Sequence, residues 1–183
     1  REQRAASRYH TKKLKEQVGV KVSSMMVTKR DGTKEPVSLD KITNRVSVLS
    51  TGLSIDPIVV AQKAIPGLYN DITSTEIDNY LAETSAALTV EHPDYSNLAA
   101  RIKSNALHKL TPGFVIATKN LFEDGLLHES YYNKVIQNAE EIESIIDYDR
   151  DYSFDYFALT TLIRAYLLKF ENQTIERPQD LWM

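Results

Sequence analysis

A Lys-Arg pair near the start of the chain could bind an anionic group. Lys29 and Arg30 come directly before Asp31-Gly32, in a stretch that reads VTKRDGTKEPVSLDKI from Val27 to Ile42. If both lie in a strand, their side chains point to opposite faces, so a phosphate chain would contact both only by wrapping around the strand edge. The alternative is that their charge protects an exposed strand edge against pairing, and the hairpin considered alone favours this alternative.

The segments that follow add further groups suited to a nucleotide. Asp40 and Lys41 occupy the first turn of an apparent helix, where free backbone N–H groups and the helix dipole favour an anion. Ser74 and Asp78 are four residues apart at the start of another apparent helix, so they share a face and could bind a sugar or a base. Lysines for phosphates beside a hydroxyl and a carboxylate indicate a candidate nucleotide site, although the glycine-rich phosphate loops are absent from the sequence.

The acidic stretch DYDRDYSFD, which begins at Asp147, does not fit a calcium-binding loop. With Asp147 at position one, Tyr152 stands where the loop needs glycine and Ala158 stands where it needs a bidentate glutamate. We therefore predict that this stretch caps a helix that begins near Phe154. The histidines lack the HxxxH or HExxH spacing of metal ligands, so the side chains of this chain predict no hydrolytic or metal site.

The composition predicts a soluble, folded protein. The chain has 183 residues of which 42% are apolar, which is enough for a core, and no uninterrupted apolar run approaches the roughly 20 residues of a membrane span. The absence of cysteine excludes a disulfide framework, a thiol nucleophile and thiyl radical chemistry within this chain. Because the chain begins with Arg1 rather than Met, we expect it to be a piece of a larger protein.

Positive charge is concentrated in residues 1–24. This segment has seven Lys and Arg against two Asp and Glu, whereas the rest of the chain has 15 against 23. A basic arm suggests nucleic acid, a membrane surface or an acidic partner, but the interleaved aromatic residues of a base-stacking surface are missing. The sequence therefore predicts a solvated, poorly ordered N-terminal extension.

Turn signals predict a β-hairpin over Met25 to Val37. Asp31-Gly32 tolerates the positive φ of a type I′ turn, and Pro36 confines the second strand to a sheet edge because proline cannot donate a ladder hydrogen bond. Four helices should follow, since each start carries a capping signal. These signals are Ser38, Asp56 followed by Pro57, the Thr73–Glu76 capping box, and the HPDY stretch that ends at Tyr95.

The apolar pattern beyond residue 110 predicts only helices. They should cover about Phe114 to Phe122, Tyr131 to Ile145 and Phe154 to Lys169. We therefore predict a mainly α protein with a small β-hairpin that caps four helices, followed by a second all-helical segment. The predicted domains are 1–24, 25–110 and 111–183.

Several stretches together resemble the large subunit of class I ribonucleotide reductases of the eukaryotic kind. VTKRDGTKEPVSLDKITNRV, IPGLYNDITSTEIDNYLAETSAALTVEHPDYSNLAARI and LHK resemble its N-terminal ATP-cone. IIDYDRDYSFDYFALTTLIRAYLLK and IERPQDLWM resemble the helical segment that leads that subunit into its catalytic barrel. The resemblance runs from Met25 to Met183, and it implies that 25–110 is the cone and that 111–183 precedes a barrel absent from this chain.

The resemblance also implies which residues bind the nucleotide. The cone of that family binds ATP or dATP, with Mg²⁺ a possible companion of the nucleotide. Ser74 stands where close relatives carry threonine, which keeps the hydroxyl, and Pro36 replaces a basic residue. The positions implied are Lys29, Arg30, Glu35, Val37, Ser38, Leu39, Asp40, Lys41, Ser74, Asp78 and Lys109.

The function implied is allosteric rather than catalytic. In the family, the whole enzyme reduces ribonucleoside diphosphates with cysteine radicals for deoxyribonucleotide synthesis in the cytoplasm, and the cone controls its overall activity through homo-oligomers and the radical-supplying small subunit. The chain lacks that machinery. Two alternatives stay open: a DNA-binding regulator built on an ATP-cone, which usually carries a cysteine zinc ribbon, and a helical interaction module that has lost its ligand.

Overall fold

The computed structural model describes residues 25–183, so the predicted basic arm lies outside the described residues. These residues form two compact units, one that ends at Ile102 and one from Lys103 to Met183. The division falls inside a helix that runs from Asp94 to Leu110, earlier than the predicted boundary at residue 110. No helix in the described part of the chain is long and apolar enough to cross a membrane.

A three-stranded sheet begins the first unit. Its strands are β1 (Met26–Thr28), β2 (Lys34–Pro36) and β3 (Ile72–Thr73), in the spatial order β2-β1-β3. β1 pairs antiparallel with β2 and parallel with β3. The prediction that Pro36 lies on an edge strand is confirmed. β1, however, is the central strand, and Lys29 and Arg30 come after its end, so the prediction that they are adjacent strand residues on opposite faces is wrong.

The hairpin turn differs from the predicted type I′ turn. The N–H of Gly32 donates to the carbonyl of Lys29 at 3.0 Å, and the N–H of Lys29 donates to the carbonyl of Thr33 at 2.8 Å. Only Gly32 has a positive φ, of 80°, within this turn. A turn followed by one glycine in the left-handed region is the three-residue hairpin loop with a bulge. Thr33 also donates to Asp31, which lowers the pKa of that carboxyl.

Four helices follow, the last of which continues into the second unit, and the predicted caps of the first three are confirmed. The fourth begins at Asp94, within the HPDY stretch. Ser38, Asp56 and Thr73 accept backbone hydrogen bonds as N-caps, and Glu76 returns the bond to Thr73 in a full capping box. The second helix ends at Ala64, and a short 3₁₀ turn that contains Pro66 follows it. The helices are α1 (Leu39–Leu49), α2 (Pro57–Ala64), α3 (Ser74–Ala87) and α4 (Asp94–Leu110).

The core of the first unit lies between these helices. α1 packs against α2, and α2 packs against α3. Apolar residues at helical spacing supply most of the buried side chains. Those almost fully buried include Val46, Val60, Leu81, Leu98 and Ile102.

The second unit contains the end of α4, four more helices and a two-stranded ribbon. The helices are α5 (Phe114–Glu123), α6 (Glu129–Gln137), α7 (Ala139–Ile145) and α8 (Tyr156–Thr161), and the strands are β4 (Lys169–Phe170) and β5 (Gln173–Thr174). The predicted helix over 131–145 breaks at Asn138, whose ψ of 20° is not helical. The mainly α fold class is confirmed, but the ribbon corrects the all-helical description of this segment.

Polar groups hold the end of α4 within the second unit. His108 Nε2 lies 2.7 Å from a carboxylate oxygen of Asp151, whose side chain is fully buried. Arg177 donates to the carbonyls of His108 and Thr111 at 3.1 and 2.6 Å, and it stacks over the ring of Tyr148. Burial, and then the hydrogen bond to Asp180, raise the pKa of Tyr148 to about 12. Asp151 therefore serves the interior of this unit rather than a calcium loop.

Glu176 should make the stability of the second unit depend on pH. Burial raises the pKa of this carboxyl, although the N–H of Leu168 donates to it at 2.8 Å. Its contribution to stability is therefore present below its unfolded pKa of about 4.3 and is lost as pH rises through the native pKa. We expect Glu176→Gln to remove that loss, so that the variant gains free energy of unfolding relative to the parent between pH 4.5 and pH 7.

Urea unfolding at those two pH values measures the difference. Asp180, whose pKa burial also raises, is present in both proteins, and its charge is one cause of the raised pKa of Glu176, so Glu176→Gln removes this repulsion as well. Glu143→Gln, at an exposed helical position, serves as the control. An identical difference between Glu176→Gln and the parent at both pH values would contradict the prediction.

Candidate functional site

An open cleft lies in the first unit beside the hairpin, and we call it the hairpin cleft. Its volume is about 90 Å³. β1, β2, the start of α1 and the start of α3 form its walls, so the first turns of two helices meet there. Its lining residues are Val27, Glu35, Pro36, Val37, Ser38, Lys41, Ile42, Arg45, Ser74, Ile77 and Leu81.

Five of the predicted site residues line the hairpin cleft. They are Glu35, Val37, Ser38, Lys41 and Ser74. Ser38 caps α1 and Ser74 is the first residue of α3, so their positions follow from the local capping signals of the sequence. The cleft therefore joins two residues of the hairpin to the N-terminal turns of both helices.

Lys29 joins this group through an ion pair. Its ammonium nitrogen lies 2.8 Å from Glu35 Oε2, and the ammonium of Lys41 lies 3.0 Å from the same oxygen. The hydrogen bond to Glu35, and next its charge, raise the pKa of Lys29. Hydrogen bonds from Lys29 and Lys41 hold the pKa of Glu35 below its usual range. Glu35 therefore stays ionised and gathers two lysines at one rim of the cleft.

Arg30 and Asp78 join the group through a second set of ion pairs. The guanidinium of Arg30 donates to Asp78 Oδ2 at 2.9 Å, and Arg45 donates to Oδ1. The Asp78 side chain is only 2% exposed and does not line the hairpin cleft. Both oxygens of Asp78 accept from arginines, so the structure places this carboxylate in an ion-pair centre beside the cleft. That Ser74 and Asp78 together bind a sugar or a base stays a prediction.

Three more predicted site residues do not line the hairpin cleft either. Leu39 is 8% exposed and belongs to the core, while Asp40 is exposed in the first turn of α1 but does not line the cleft. Lys109 belongs to the last turn of α4, in the second compact unit. That these three residues bind the nucleotide stays a prediction. The same holds for the other positions implied by the resemblance.

The sequence analysis missed Arg45 and the apolar floor of the cleft. Arg45 lies four residues after Lys41, so both share one face of α1, a spacing that could have identified it. The floor consists of apolar residues that belong to the buried core, so their residue types do not indicate contact with a ligand. These floor residues are Val27, Ile42, Ile77 and Leu81.

The charge of the site suits a polyanion. Two carboxylates, Glu35 and Asp78, hold four cations, so each carboxylate with its two partners keeps one positive charge in excess. Helix N-termini add free N–H groups and the positive end of the dipole. An apolar floor beneath a cationic rim can accommodate a flat, apolar ring attached to phosphates.

Comparison with known proteins identifies similar sequences. The family model described as the ATP cone domain matches residues 25–110. Large subunits of ribonucleoside-diphosphate reductase are similar over 87% to 88% of the chain: that of Arabidopsis thaliana is 44% identical over 172 residues, and that of Caenorhabditis elegans is 45% identical over 174 residues. The variola virus large subunit is 41% identical over 172 residues. The chain spans only 21% to 22% of the length of these relatives.

Proposed function

The chain belongs to the family of ribonucleoside-diphosphate reductase large subunits and contains its ATP cone domain, and from that premise we propose that the hairpin cleft binds ATP or dATP as an allosteric effector. The chain contains no cysteine, so it offers no thiol for radical chemistry, and the role assigned to it is regulatory. The reduction of ribonucleoside diphosphates is proposed for the whole protein of which this chain is a part.

The observation that carries the proposal is the convergence of cations and helix starts on one cleft. Lys41 and Arg45 line it, and α1 and α3 both begin there. Lys29 is ion-paired with the lining residue Glu35, and Arg30 shares the Asp78 carboxylate with Arg45. Phosphates would bind to the cations and to the free N–H groups of a helix start. The apolar floor would take the adenine ring. Mg²⁺, where present, would arrive with the nucleotide and keep phosphate oxygens and water as ligands.

The proposed regulation acts through assembly of the whole enzyme. ATP would favour the active assembly with the small subunit, whereas dATP would favour homo-oligomers in which radical transfer is blocked. The two effectors differ by one 2′-hydroxyl, so the difference they make to the assembly equilibrium must arise from their differential contacts in the cleft. A coupling free energy of about 1–3 kcal/mol is typical of allostery and would suffice.

Calorimetric titration of the 183-residue chain tests the proposal. We expect ATP and dATP to release measurable heat and GTP to bind much more weakly. Lys29→Ala should weaken ATP binding by roughly three- to tenfold, because the rim would lose one cation. Lys63→Ala removes a half-exposed lysine that pairs with Glu91 and does not line the cleft, so it is the matched control. Absence of binding for all three nucleotides would reject the proposal.

A further inference from the structure

A second cavity lies within the second unit, lined by α5 and by the base of the two-stranded ribbon, and we call it the ribbon pocket. Its volume is about 120 Å³. Leu168 directly precedes β4 and Ile175 directly follows β5, and both residues line the pocket. Phe114, Ala117 and Leu121 of α5 line it as well. The walls are therefore largely apolar, which suits the hydrocarbon part of a ligand.

Two carboxyl groups and no cationic side chain line the ribbon pocket. Glu176 and Asp180 supply the carboxyl groups, and none of the lining residues is a lysine, an arginine or a histidine. The groups that donate to these carboxylates are neutral: the N–H of Leu168 for Glu176, and the Tyr148 hydroxyl and the backbone N–H of Arg177 for Asp180. The pocket therefore holds negative charge that no lining side chain balances.

Glu176 has one carboxylate oxygen left for a ligand. Its Oε2 accepts from the N–H of Leu168 at 2.8 Å, whereas its Oε1 has no partner among residues 25–183. Burial raises the pKa of this carboxyl, and the charge of Asp180 raises it further. A positive charge beside the carboxylate would offset both effects. An ammonium group supplies that charge and donates a charge-assisted hydrogen bond to the oxygen.

Thr118 offers a second acceptor in the same pocket. This residue of α5 is only 3% exposed, and its hydroxyl has no partner within the described part of the chain. A hydroxyl oxygen accepts hydrogen bonds, and an ammonium group carries three N–H donors. Two unpartnered oxygens within apolar walls therefore favour a cation that donates several hydrogen bonds over an anion or a purely apolar molecule.

We propose that the ribbon pocket binds an alkylammonium group, with the hydrocarbon chain against the apolar walls and the ammonium on Glu176 Oε1. A lysine side chain combines the same two parts, an apolar stem and a charged tip. The same chemistry can therefore come from two sources, a free primary amine or a lysine side chain of the whole protein of which this chain is a part. The proposal is independent of the nucleotide, because the pocket shares no lining residue with the hairpin cleft.

Titration of the 183-residue chain with n-butylammonium, the lysine side chain without its backbone, tests the proposal. 1-Butanol has the same length and no charge, so it is the comparison ligand. The NMR shifts of the Leu168 and Ile175 amides report binding at the pocket. Glu176→Gln keeps the shape of the side chain and removes its charge. Glu143→Gln, at an exposed helical position that does not line the pocket, is the matched control.

We expect the parent at pH 7 to bind n-butylammonium at least about tenfold more tightly than 1-butanol, because only the cation adds a charge-assisted hydrogen bond. Glu176→Gln should remove this preference, whereas Glu143→Gln should retain it. ATP binding should be the same in all three proteins. A failure at the ribbon pocket is therefore distinguishable from a failure at the hairpin cleft.

The affinity for n-butylammonium should also depend on pH. Between pH 7 and pH 4.5 it should fall by about three- to tenfold, because Glu176 takes up a proton in the free chain while the amine stays charged. Asp180, whose pKa burial also raises, contributes part of this fall, so Glu176→Gln should show a smaller one. The other titratable groups at the pocket are Tyr131, which lines it, and Tyr148 and Arg177, which contact Asp180; tyrosine and arginine do not titrate in this range.

The whole large subunit distinguishes the two sources of the ligand. If the ligand is a free amine, the whole subunit should bind n-butylammonium as the 183-residue chain does. If the ligand is a lysine side chain, the whole subunit should bind no added amine, and one of its lysines should resist acetylation by acetic anhydride unless Glu176 is replaced by glutamine. A whole subunit that shows neither behaviour would overturn the proposal.

Three results on the 183-residue chain would also overturn it. The first is a parent that binds no n-butylammonium. The second is equal affinity for n-butylammonium and 1-butanol, which would make the pocket an apolar cavity without preference for a cation. The third is a preference for the cation that Glu176→Gln leaves unchanged, which would place the ammonium away from this carboxylate.

Discussion

Lys41→Glu should weaken ATP binding to the hairpin cleft by roughly a hundredfold or more. The substitution removes a cation that lines the cleft and places a second carboxylate beside Glu35, whose oxygen now lies 3.0 Å from the Lys41 ammonium. The loss of the lysine's attraction and the added repulsion from the glutamate both weaken binding of the nucleotide phosphates.

The fold should survive this change. The Lys41 side chain is 67% exposed, and the ion pair that it forms contributes less than about 1 kcal/mol. An acidic residue in the first turn of α1 also suits the helix dipole. Calorimetry with ATP measures the loss, and thermal unfolding checks the fold. Lys63→Glu, at a half-exposed lysine of the same unit, should keep the parent affinity. A Lys41→Glu variant that binds ATP as the parent does would exclude the cleft as the nucleotide site.

Asp78→Ala should lower the free energy of unfolding of the chain by about 2–4 kcal/mol. The carboxylate is 2% exposed and balances two guanidinium groups, whose side chains are 28% and 34% exposed. Without it, the guanidinium groups of Arg30 and Arg45 would repel each other with no carboxylate between them. Breaking a fully buried pair costs more, but the partial exposure of both arginines lets water replace part of the lost interaction.

Urea unfolding of Asp78→Ala and of its control measures this cost. Glu91→Ala is the matched control, because Glu91 is 56% exposed and pairs with a single lysine, so its loss should cost less than about 1 kcal/mol. Arg45→Ala combined with Asp78→Ala should recover part of the stability, since fewer unpaired cations are left. Equal costs for Asp78→Ala and Glu91→Ala would show that the two arginines do not depend on Asp78.

The local signals of the sequence predicted most elements of the first unit correctly. Ser38, Asp56 and Thr73 cap helices because each places a side-chain oxygen within reach of the free N–H groups of the next turn, an interaction that depends on only a few neighbouring residues. Pro36 keeps β2 at the sheet edge because proline cannot donate a ladder hydrogen bond. Pro66 stops α2 because its ring cannot fit inside a helix. Lys41 and Ser74 both line the hairpin cleft. The resemblance implied that both belong to one nucleotide site.

Short elements and turn geometry were not predicted. β3 has two residues, and β4 and β5 have two each, so no alternating pattern is long enough to reveal them. β3 exists because the backbone of Ile72 and Thr73 pairs with β1, a contact between residues far apart in the chain. The same pairing makes β1 a central strand, which weakens the interpretation of the Lys-Arg pair as the guard of a strand edge.

The sequence by itself determined the types of group available for binding an anion and the helix starts that carry them. Only the tertiary structure decided how those groups are paired. Charge is long-ranged and independent of sequence order, so a carboxylate such as Asp78 could have bound any cation brought near it. The fold brings Arg30 of the hairpin turn and Arg45 of α1 to Asp78 on α3, so the carboxylate lies in a buried ion-pair centre that no local signal of the sequence indicated.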